Sequence, residues 1–198
     1  MGKKIQESLS YFSDKISDTI KSKKSILVTT HLDCDGITSG SIISKALIRE
    51  GARCTVRTTN EFSQNIVEQL EKENKGLHII TDLAGGFARN LDEKVGDNWI
   101  VLDHHQIPDE EIDNQNVINA WKFGIDGGIE ICAGGMAYLA STALNKNNRD
   151  LSGIAVVSAL GDRQDQGDKK SFVGENKNIA KTAKELGLIN IDLDLLLV

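Results

Sequence analysis

The sequence predicts an α/β domain built on a mainly parallel β-sheet flanked by helices. Short apolar runs alternate with longer runs of helical periodicity, and this alternation is typical of strands joined by right-handed helical crossovers. The chain has 198 residues, 5% aromatic residues and a single proline. Its interior must therefore depend on Ile, Leu, Val and Ala, which fill parallel strands covered on both faces. At this length, one domain over 1–198 is the expected organisation.

The elements of the first half follow from apolar spacing. Apolar residues three or four positions apart predict an opening helix over 4–21. The run Ile26–Thr30 predicts a buried strand, and the helix expected over 37–50 would end at Gly51, a residue suited to a helix C-terminus. The alternation then continues with a strand over 53–58, a helix over 63–73, a strand over 77–82, a helix over 87–95 and a strand over 99–103.

The second half is predicted to be more helical. We expect an edge strand over 117–121, a glycine-rich loop over 124–135 and helices over 136–145 and 151–160. The chain ends on Ile191–Val198, an apolar segment that lacks a helix stop signal. From this ending we expect one domain of a longer polypeptide.

Composition excludes several classes of protein. No apolar run approaches the roughly 20 residues of a membrane span, and no secretory signal opens the chain, so a cytoplasmic protein without membrane association is expected. The three cysteines form no C-x-x-C pair, which argues against a disulfide framework and a zinc knuckle. The net charge of −6 counts against a broad basic surface for nucleic acid. That objection weakens if acids cluster around cations or if another domain supplies the grip.

Acidic residues follow three of the predicted strands. Asp33 and Asp35 come after the first strand, Asp82 ends the third, and Asp103 ends the fourth. In open α/β sheets, ligands bind outside the carboxyl ends of the strands, so these acids are expected along one edge. Asp162 would join them if the helix over 151–160 ends at the same edge.

Such a cluster of acids requires cations. Two carboxylates about 4 Å apart repel by roughly 4 kcal/mol at an effective dielectric near 20, so several together could not all ionise unaided. Oxygen ligands mixed with imidazole suit Mn²⁺, with Mg²⁺ or Zn²⁺ possible. Two ions bridged by one carboxylate can activate water and hold the attacking and leaving oxygens of a phosphoryl transfer.

Alternatives to a metal site exist for the separate motifs. Asp33 to Gly36 can equally be a helix-capping turn, and a lone Asp at a strand end, such as Asp82, is commonly a turn residue. A calcium loop is excluded, because an EF-hand would need an acid at His31 and a Glu at Ile42. The triplet Asp103-His104-His105 has no packing reason at a strand end and therefore favours a functional site.

The ordered motifs resemble those of a known superfamily. Taken together they look like the four motifs of the DHH phosphoesterase superfamily, and most like archaeal RecJ-like nucleases, including the type associated with the GINS replication complex. The resemblance extends from about Ser25 to Leu188. His31 stands where bacterial RecJ commonly has an acid. The four motifs in this sequence are His31-x-Asp33-x-Asp35-Gly36, Asp82, Asp103-His104-His105 and Gly161-Asp162.

The resemblance implies a role for each of these residues. One ion would be held by His31, Asp33 and Asp82. The second ion would be held by Asp35, Asp82, His104 and Asp162, so that Asp82 bridges the pair. Asp103 would orient the site from behind the ligands, and His105 would face the scissile phosphate.

Substrate contacts are predicted at three further residues. Gly134 and Gly135 precede a predicted helix and could offer backbone N–H groups to a phosphate, although a simple loop-to-helix turn explains them equally well. Arg163 is either a phosphate contact or a surface cation beside Asp162 and Asp165. Full-length members of the superfamily also carry a C-terminal DHH-associated domain, which these residues do not contain. The resemblance therefore implies that this domain holds the metal ions and that the second domain helps to hold the substrate.

The resemblance implies a metal-dependent phosphodiesterase, a single-strand-specific exonuclease acting on DNA or RNA in replication or repair. Its expected partners are single-stranded nucleic acid and GINS. Two alternatives stay open at this point. One is a replisome scaffold that binds GINS, and the other is a phosphoesterase for small substrates such as oligonucleotides, cyclic dinucleotides or pyrophosphate.

Overall fold

The computed structural model describes residues 2–73 and 75–191, and its centre is a five-stranded sheet with the strand order β2-β1-β3-β4-β5. Every neighbouring pair of strands is parallel. The predicted fold class is therefore confirmed. Of the predicted C-terminal segment Ile191–Val198, residues 192–198 lie outside the described chain. The strands are β1 (Ile26–His31), β2 (Cys54–Thr59), β3 (Leu77–Thr81), β4 (Trp99–Asp103) and β5 (Val117–Asn119).

Helices connect and cover these strands. Their bounds follow the prediction closely up to β4, except that the second helix begins three residues earlier than expected. The predicted strand over 117–121 ends at Asn119, because its side chain accepts a hydrogen bond from the Trp121 N–H at 3.0 Å and starts a 3₁₀ turn. The helices are α1 (Lys3–Lys21), α2 (Cys34–Arg49), α3 (Gln64–Glu73), α4 (Ala88–Val95), α5 (Asp109–Ile112), α6 (Ala133–Leu144), α7 (Ser152–Gly161) and α8 (Gly174–Glu185).

The sheet buries apolar side chains on both faces. Ile26 and Val28 of β1 point into a large core shared with α1, α2 and α6, whereas Leu27 points into a smaller core shared with α3 and α4. This alternation follows from the period of two along a strand. Edge strand β2 is the exception, because most of its residues are only partly buried or exposed. In the described part of the chain, no helix is long and apolar enough to cross a membrane.

The strand order places a crevice between β1 and β3. From β1 the chain crosses to β2 on one side and then returns to β3 on the other side of β1. Helices from successive connections therefore leave the sheet in opposite directions at this point, and the carboxyl ends of β1 and β3 are left open between them. In sheets of this kind the ligand binds at such a switch point.

Candidate metal centre

The structure brings the predicted acids and histidines together at this carboxyl edge. His31 ends β1, Asp33 and Asp35 begin α2, and Asp82 directly follows β3. Three groups form, and within each the possible ligand atoms lie within 4.8 Å of one another. The groups are His31, Asp33 and Asp82; Asp35, His104 and Asp162; and Asp82, Asp103, His104 and His105.

The first group is arranged by the turn between β1 and α2. Asp33 caps α2 by accepting the Gly36 N–H at 2.9 Å, while its other oxygen lies 2.9 Å from His31 Nδ1. Capping and ligand binding are therefore compatible uses of one carboxylate. Burial raises the pKa of Asp33, but the Gly36 N–H and the nearby His31 outweigh it and lower the pKa overall. A Cβ on Gly36 would lie 2.2 Å from the His31 carbonyl oxygen, so this close turn requires glycine.

Asp82 occupies the centre of the site in an unusual backbone conformation. Its φ of 62° lies in the left-handed region, which Asp tolerates better than most residues. The residue is 2% exposed, and its Oδ2 has no hydrogen-bond partner among the residues that the structure describes. Burial, together with the charge of Asp35, raises the pKa of Asp82 to about 7. A buried carboxylate oxygen without a donor is what a bound cation would satisfy.

His104 turns one ring nitrogen toward three carboxylates. Its Nδ1 lies 2.6 Å from the Gly127 carbonyl oxygen, which can only accept, so Nδ1 carries the hydrogen. Its Nε2 lies 3.4 Å from Asp35 Oδ2 and from Asp82 Oδ1, and 3.8 Å from Asp162 Oδ2.

The acids around His104 determine its protonation. Burial lowers the pKa of His104, but the contact with Asp82 and the charge of Asp35 outweigh it and raise the pKa to about 10. A proton on Nε2 therefore takes the place that a cation would take among these acids.

Asp35 is held by two helices from the second half of the chain. It is 2% exposed, and its carboxylate accepts the N–H groups of Ala133 and Gly134 at 2.8 Å each. The Ser158 hydroxyl of α7 also donates to it. Each of these three donors belongs to a residue at least 98 positions after Asp35 in the sequence.

These contacts correct the phosphate contact predicted at Gly134, while the one predicted at Gly135 stays a prediction. Both residues lie in the first turn of α6, which begins three residues before the predicted helix, and both are buried. The Gly134 N–H is taken by Asp35 and is not free for a phosphate. A Cβ on Gly134 would lie 1.9 Å from Ser158 Oγ, and one on Gly135 would lie 2.6 Å from Ile131 Cγ1. The two glycines therefore serve close packing of α6.

Asp103 and His105 form a pair beside the ligand groups. Asp103 is 2% exposed, and its Oδ1 accepts the His104 N–H at 2.8 Å and lies 2.9 Å from His105 Nδ1. The His105 side chain is 60% exposed. Its contact with Asp103 raises the pKa of His105. Asp103 is therefore buried beside the ligand groups, and His105 is exposed to solvent.

Asp162 joins the site because α7 ends at the same edge. Its carboxylate accepts a hydrogen bond from Gln164 Nε2 at 2.8 Å, and burial raises its pKa. Arg163 beside it has a φ of 55° and forms no ion pair within the described chain. Sequence reasoning missed Ser158, Gly127 and Gln164. Ser158 is at least marked as a polar residue within an apolar helix, whereas the polar surroundings of Gln164 give no such signal.

Comparisons with known proteins agree with the fold. The model of the DHH family, N-terminal domain, matches residues 25–161. Protein MJ0831 of Methanocaldococcus jannaschii, whose name describes it as uncharacterized, is 35% identical over 194 residues, covering 92% of this chain and 43% of that protein.

Two solved structures share the fold. The crystal structure of exonuclease RecJ bound to manganese superposes with a TM-score of 0.72 at 19% identity, over 88% of this chain and 46% of RecJ. CDC45 from Entamoeba histolytica superposes with a TM-score of 0.66 at 18% identity, over 97% of this chain and 40% of CDC45. The chain thus spans less than half the length of each of these proteins.

Proposed function

Since this chain belongs to the DHH family, whose N-terminal domain it matches, we propose that it is the catalytic domain of a metal-dependent phosphodiesterase. The enzyme is an exonuclease that removes nucleotides from the ends of single-stranded DNA or RNA. The observation that carries the proposal is the position of Asp82 between two ligand groups. Its Oδ2 lies 3.6 Å from His31 Nδ1, and its Oδ1 lies 3.4 Å from His104 Nε2. A carboxylate in that position can bridge two cations, an arrangement suited to hydrolysis of phosphodiesters.

The residues of the site fit two divalent cations. Their carboxylate and imidazole donors suit Mn²⁺ best, with Mg²⁺ possible. When bound, such ions lower the pKa of water and stabilise charge on the oxygens around phosphorus. The unpartnered Oδ2 of Asp82 supports this assignment because the buried oxygen has no other use in the described structure. We assign His31, Asp33 and Asp82 to one ion, and Asp35, Asp82, His104 and Asp162 to the second.

Two further side chains act on the substrate. Asp103 accepts from His105 Nδ1, so the contact limits rotation of the ring, and the His105 side chain is exposed to solvent. We assign to His105 the contact with the scissile phosphate, where its Nε2 can hold a proton for the leaving oxygen. Asp103 orients His105, and Arg163 offers a cation to the phosphate backbone.

The net charge of −6 is compatible with an anionic substrate under two conditions. Bound cations offset the acids of the site, so the edge need not repel a phosphate. Further contacts would come from a C-terminal DHH-associated domain of the kind that full-length family members carry. In this proposal the present chain provides the metal site, and the second domain provides most of the contacts with nucleic acid.

A role in archaeal replication or repair follows from the same proposal. The resemblance of the motifs to GINS-associated nucleases favours docking on GINS as a second function. Because the candidate ligands are all present, we propose an active enzyme that also docks rather than a scaffold alone. Archaeal nucleic acid lies in the cytoplasm, so a cytoplasmic location is proposed.

Replacement of the proposed bridge tests the function. In the full-length protein, Asp82→Ala is expected to abolish Mn²⁺-dependent cleavage of end-labelled single-stranded DNA and RNA, because both ions lose a ligand. Asp14→Ala in α1, far from the site in sequence and outside every ligand group, is the matched control and should leave the rate unchanged. Wild-type rates in Asp82→Ala would refute the site assignment.

The same assay separates the alternatives. Cleavage of pyrophosphate or short oligonucleotides, without cleavage of longer strands, would favour a small-substrate phosphoesterase. GINS pull-down by wild type and Asp82→Ala alike would establish docking independent of the metals. Failure of both forms to bind would rule out the scaffold role.

A further inference from the structure

Gln164 is a buried side chain that contacts the candidate metal centre from behind. It lies two residues after Asp162 in a polar segment, yet it is 0% exposed. Its Nε2 donates to Asp162 Oδ2 at 2.8 Å and to the Gly127 carbonyl oxygen at 2.8 Å. A buried amide that donates directly to a candidate ligand limits the rotation of that ligand.

The second of these contacts extends to His104. The Gly127 carbonyl oxygen accepts from Gln164 Nε2 and also faces His104 Nδ1 at 2.6 Å. The backbone of Gly127 packs closely against His104, since a Cβ on Gly127 would lie 1.8 Å from the His104 carbonyl oxygen. Gln164 therefore holds in place the carbonyl that sets the ring of His104. Through one amide group it reaches two ligands of the same proposed ion.

The orientation of the amide is fixed by its other contacts. Oε1 accepts from Asn176 Nδ2 of α8 at 2.5 Å, while Nε2 also lies 3.3 Å from the Ile131 carbonyl oxygen. Acceptors surround the nitrogen and a donor faces the oxygen, so a flipped amide would lose every one of these hydrogen bonds. Gln164 thereby connects α8 to the metal edge.

We propose that Gln164 is a positioning residue for one of the two ions, the one assigned to Asp35, His104 and Asp162. The inference rests on the proposed function. In the described structure, Gln164 forms no hydrogen bond with His31, Asp33 or Asp82. Replacement of Gln164 should therefore weaken the binding of one ion and leave the binding of the other unchanged. Replacement of a merely structural residue would affect the binding of both ions or of neither.

The test measures Mn²⁺ binding to the 198-residue chain in two backgrounds. In His31→Ala only the ion at Asp35, His104 and Asp162 is expected to bind well, and in Asp162→Ala only the other. Gln164→Met keeps the length of the side chain but cannot donate. It should weaken Mn²⁺ binding about 10- to 100-fold in the His31→Ala background, the range found when supporting groups of metal ligands are lost. In the Asp162→Ala background it should change binding less than about twofold.

Two control variants and a second test variant accompany this measurement. Gln166→Met changes an exposed glutamine nearby and should leave binding unchanged in both backgrounds. Asn176→Leu removes the donor to Oε1 but leaves the contacts of Gln164 Nε2 in place. It therefore matches the lost stability and should weaken Mn²⁺ binding in the His31→Ala background less than Gln164→Met does. Gln164→Asn is a second test variant that keeps an amide but shortens its reach, and it should act like Gln164→Met if the latter folds poorly.

The outcomes distinguish this inference from the proposed function. Equal weakening in both backgrounds, or no weakening in His31→Ala, would overturn the role of Gln164 while wild type still binds two ions. Absence of Mn²⁺ binding by wild type would overturn the proposed function, and the role of Gln164 with it. Selective weakening in His31→Ala alone is the expected result.

Discussion

The two proposed ion sites use similar ligands but are positioned in different ways. His31 and Asp33 are arranged by the local turn between β1 and α2, with Asp33 capping its own helix. Asp35 is only two residues further along, yet its donors come from α6 and α7, up to 123 residues away. His31 and Asp33 are therefore positioned by local sequence, whereas Asp35 depends on how the second half of the chain packs. Damage to that packing should affect the second site alone.

The largest expected difference in the free energy of unfolding is between variants of two buried acids, Asp35 and Asp82. Asp35→Ala should lower the free energy of unfolding of the metal-free protein by about 3 kcal/mol, because it leaves two backbone N–H groups and a hydroxyl unsatisfied. Asp82→Asn should cost clearly less, because burial already raises the pKa of Asp82 to about 7 and its Oδ2 has no partner in the described chain, so only the contact of Oδ1 with His104 is lost. Chemical denaturation in a chelator measures both. A stability loss as large in Asp82→Asn as in Asp35→Ala would contradict the distinction.

The stability of the whole chain, which supports both sites, should depend on pH through His78. His78 is buried in β3, and burial lowers its pKa to about 4. The folded chain therefore keeps His78 neutral where the unfolded chain, with a pKa near 6.5, takes up a proton. Stability should fall as the pH drops from about 6.5 to 4, by about 3 kcal/mol in total. His78→Leu should remove this loss when unfolding is followed across that range, and an unchanged slope would contradict it.

A smaller effect is expected where α6 approaches α7. Gly134→Ala places a Cβ 1.9 Å from Ser158 Oγ, so it should cost about 2 kcal/mol and disturb Asp35. Gly153→Ala in α7 is the matched control, because its nearest contact is an ordinary 3.4 Å, and it should be neutral or slightly stabilising. Thermal unfolding with and without Mn²⁺ compares the two. Equal melting temperatures would show that the close approach is not needed.

The contrast between local and distant positioning also separates what the sequence could predict from what it could not. The acids at strand ends follow from the rule for parallel sheets, so the sequence alone was enough to place Asp33, Asp82 and Asp103 at one edge. The capping turn and the ligand site, weighed as alternatives, turn out to share one carboxylate of Asp33.

Tertiary packing accounts for what the sequence did not reveal. The phosphate contact predicted at Gly134 was wrong because a glycine pair before an apolar run does not indicate whether an N–H group meets a ligand or a buried acid. The contact predicted at Gly135 stays a prediction. Gln164 could not be identified, since only the arrangement of α7 and α8 makes it a buried residue. Helix α8 itself was missed because its few buried residues give a weak apolar pattern.

The central claim is that two cations share Asp82, and electron paramagnetic resonance of the Mn²⁺-loaded chain tests it most directly. Two Mn²⁺ ions bridged by one carboxylate should give the broad spectrum of a spin-coupled pair. Asp82→Ala should lose that spectrum, while the control Asp14→Ala should keep it. A wild-type spectrum with only the six lines of isolated Mn²⁺ would contradict the account.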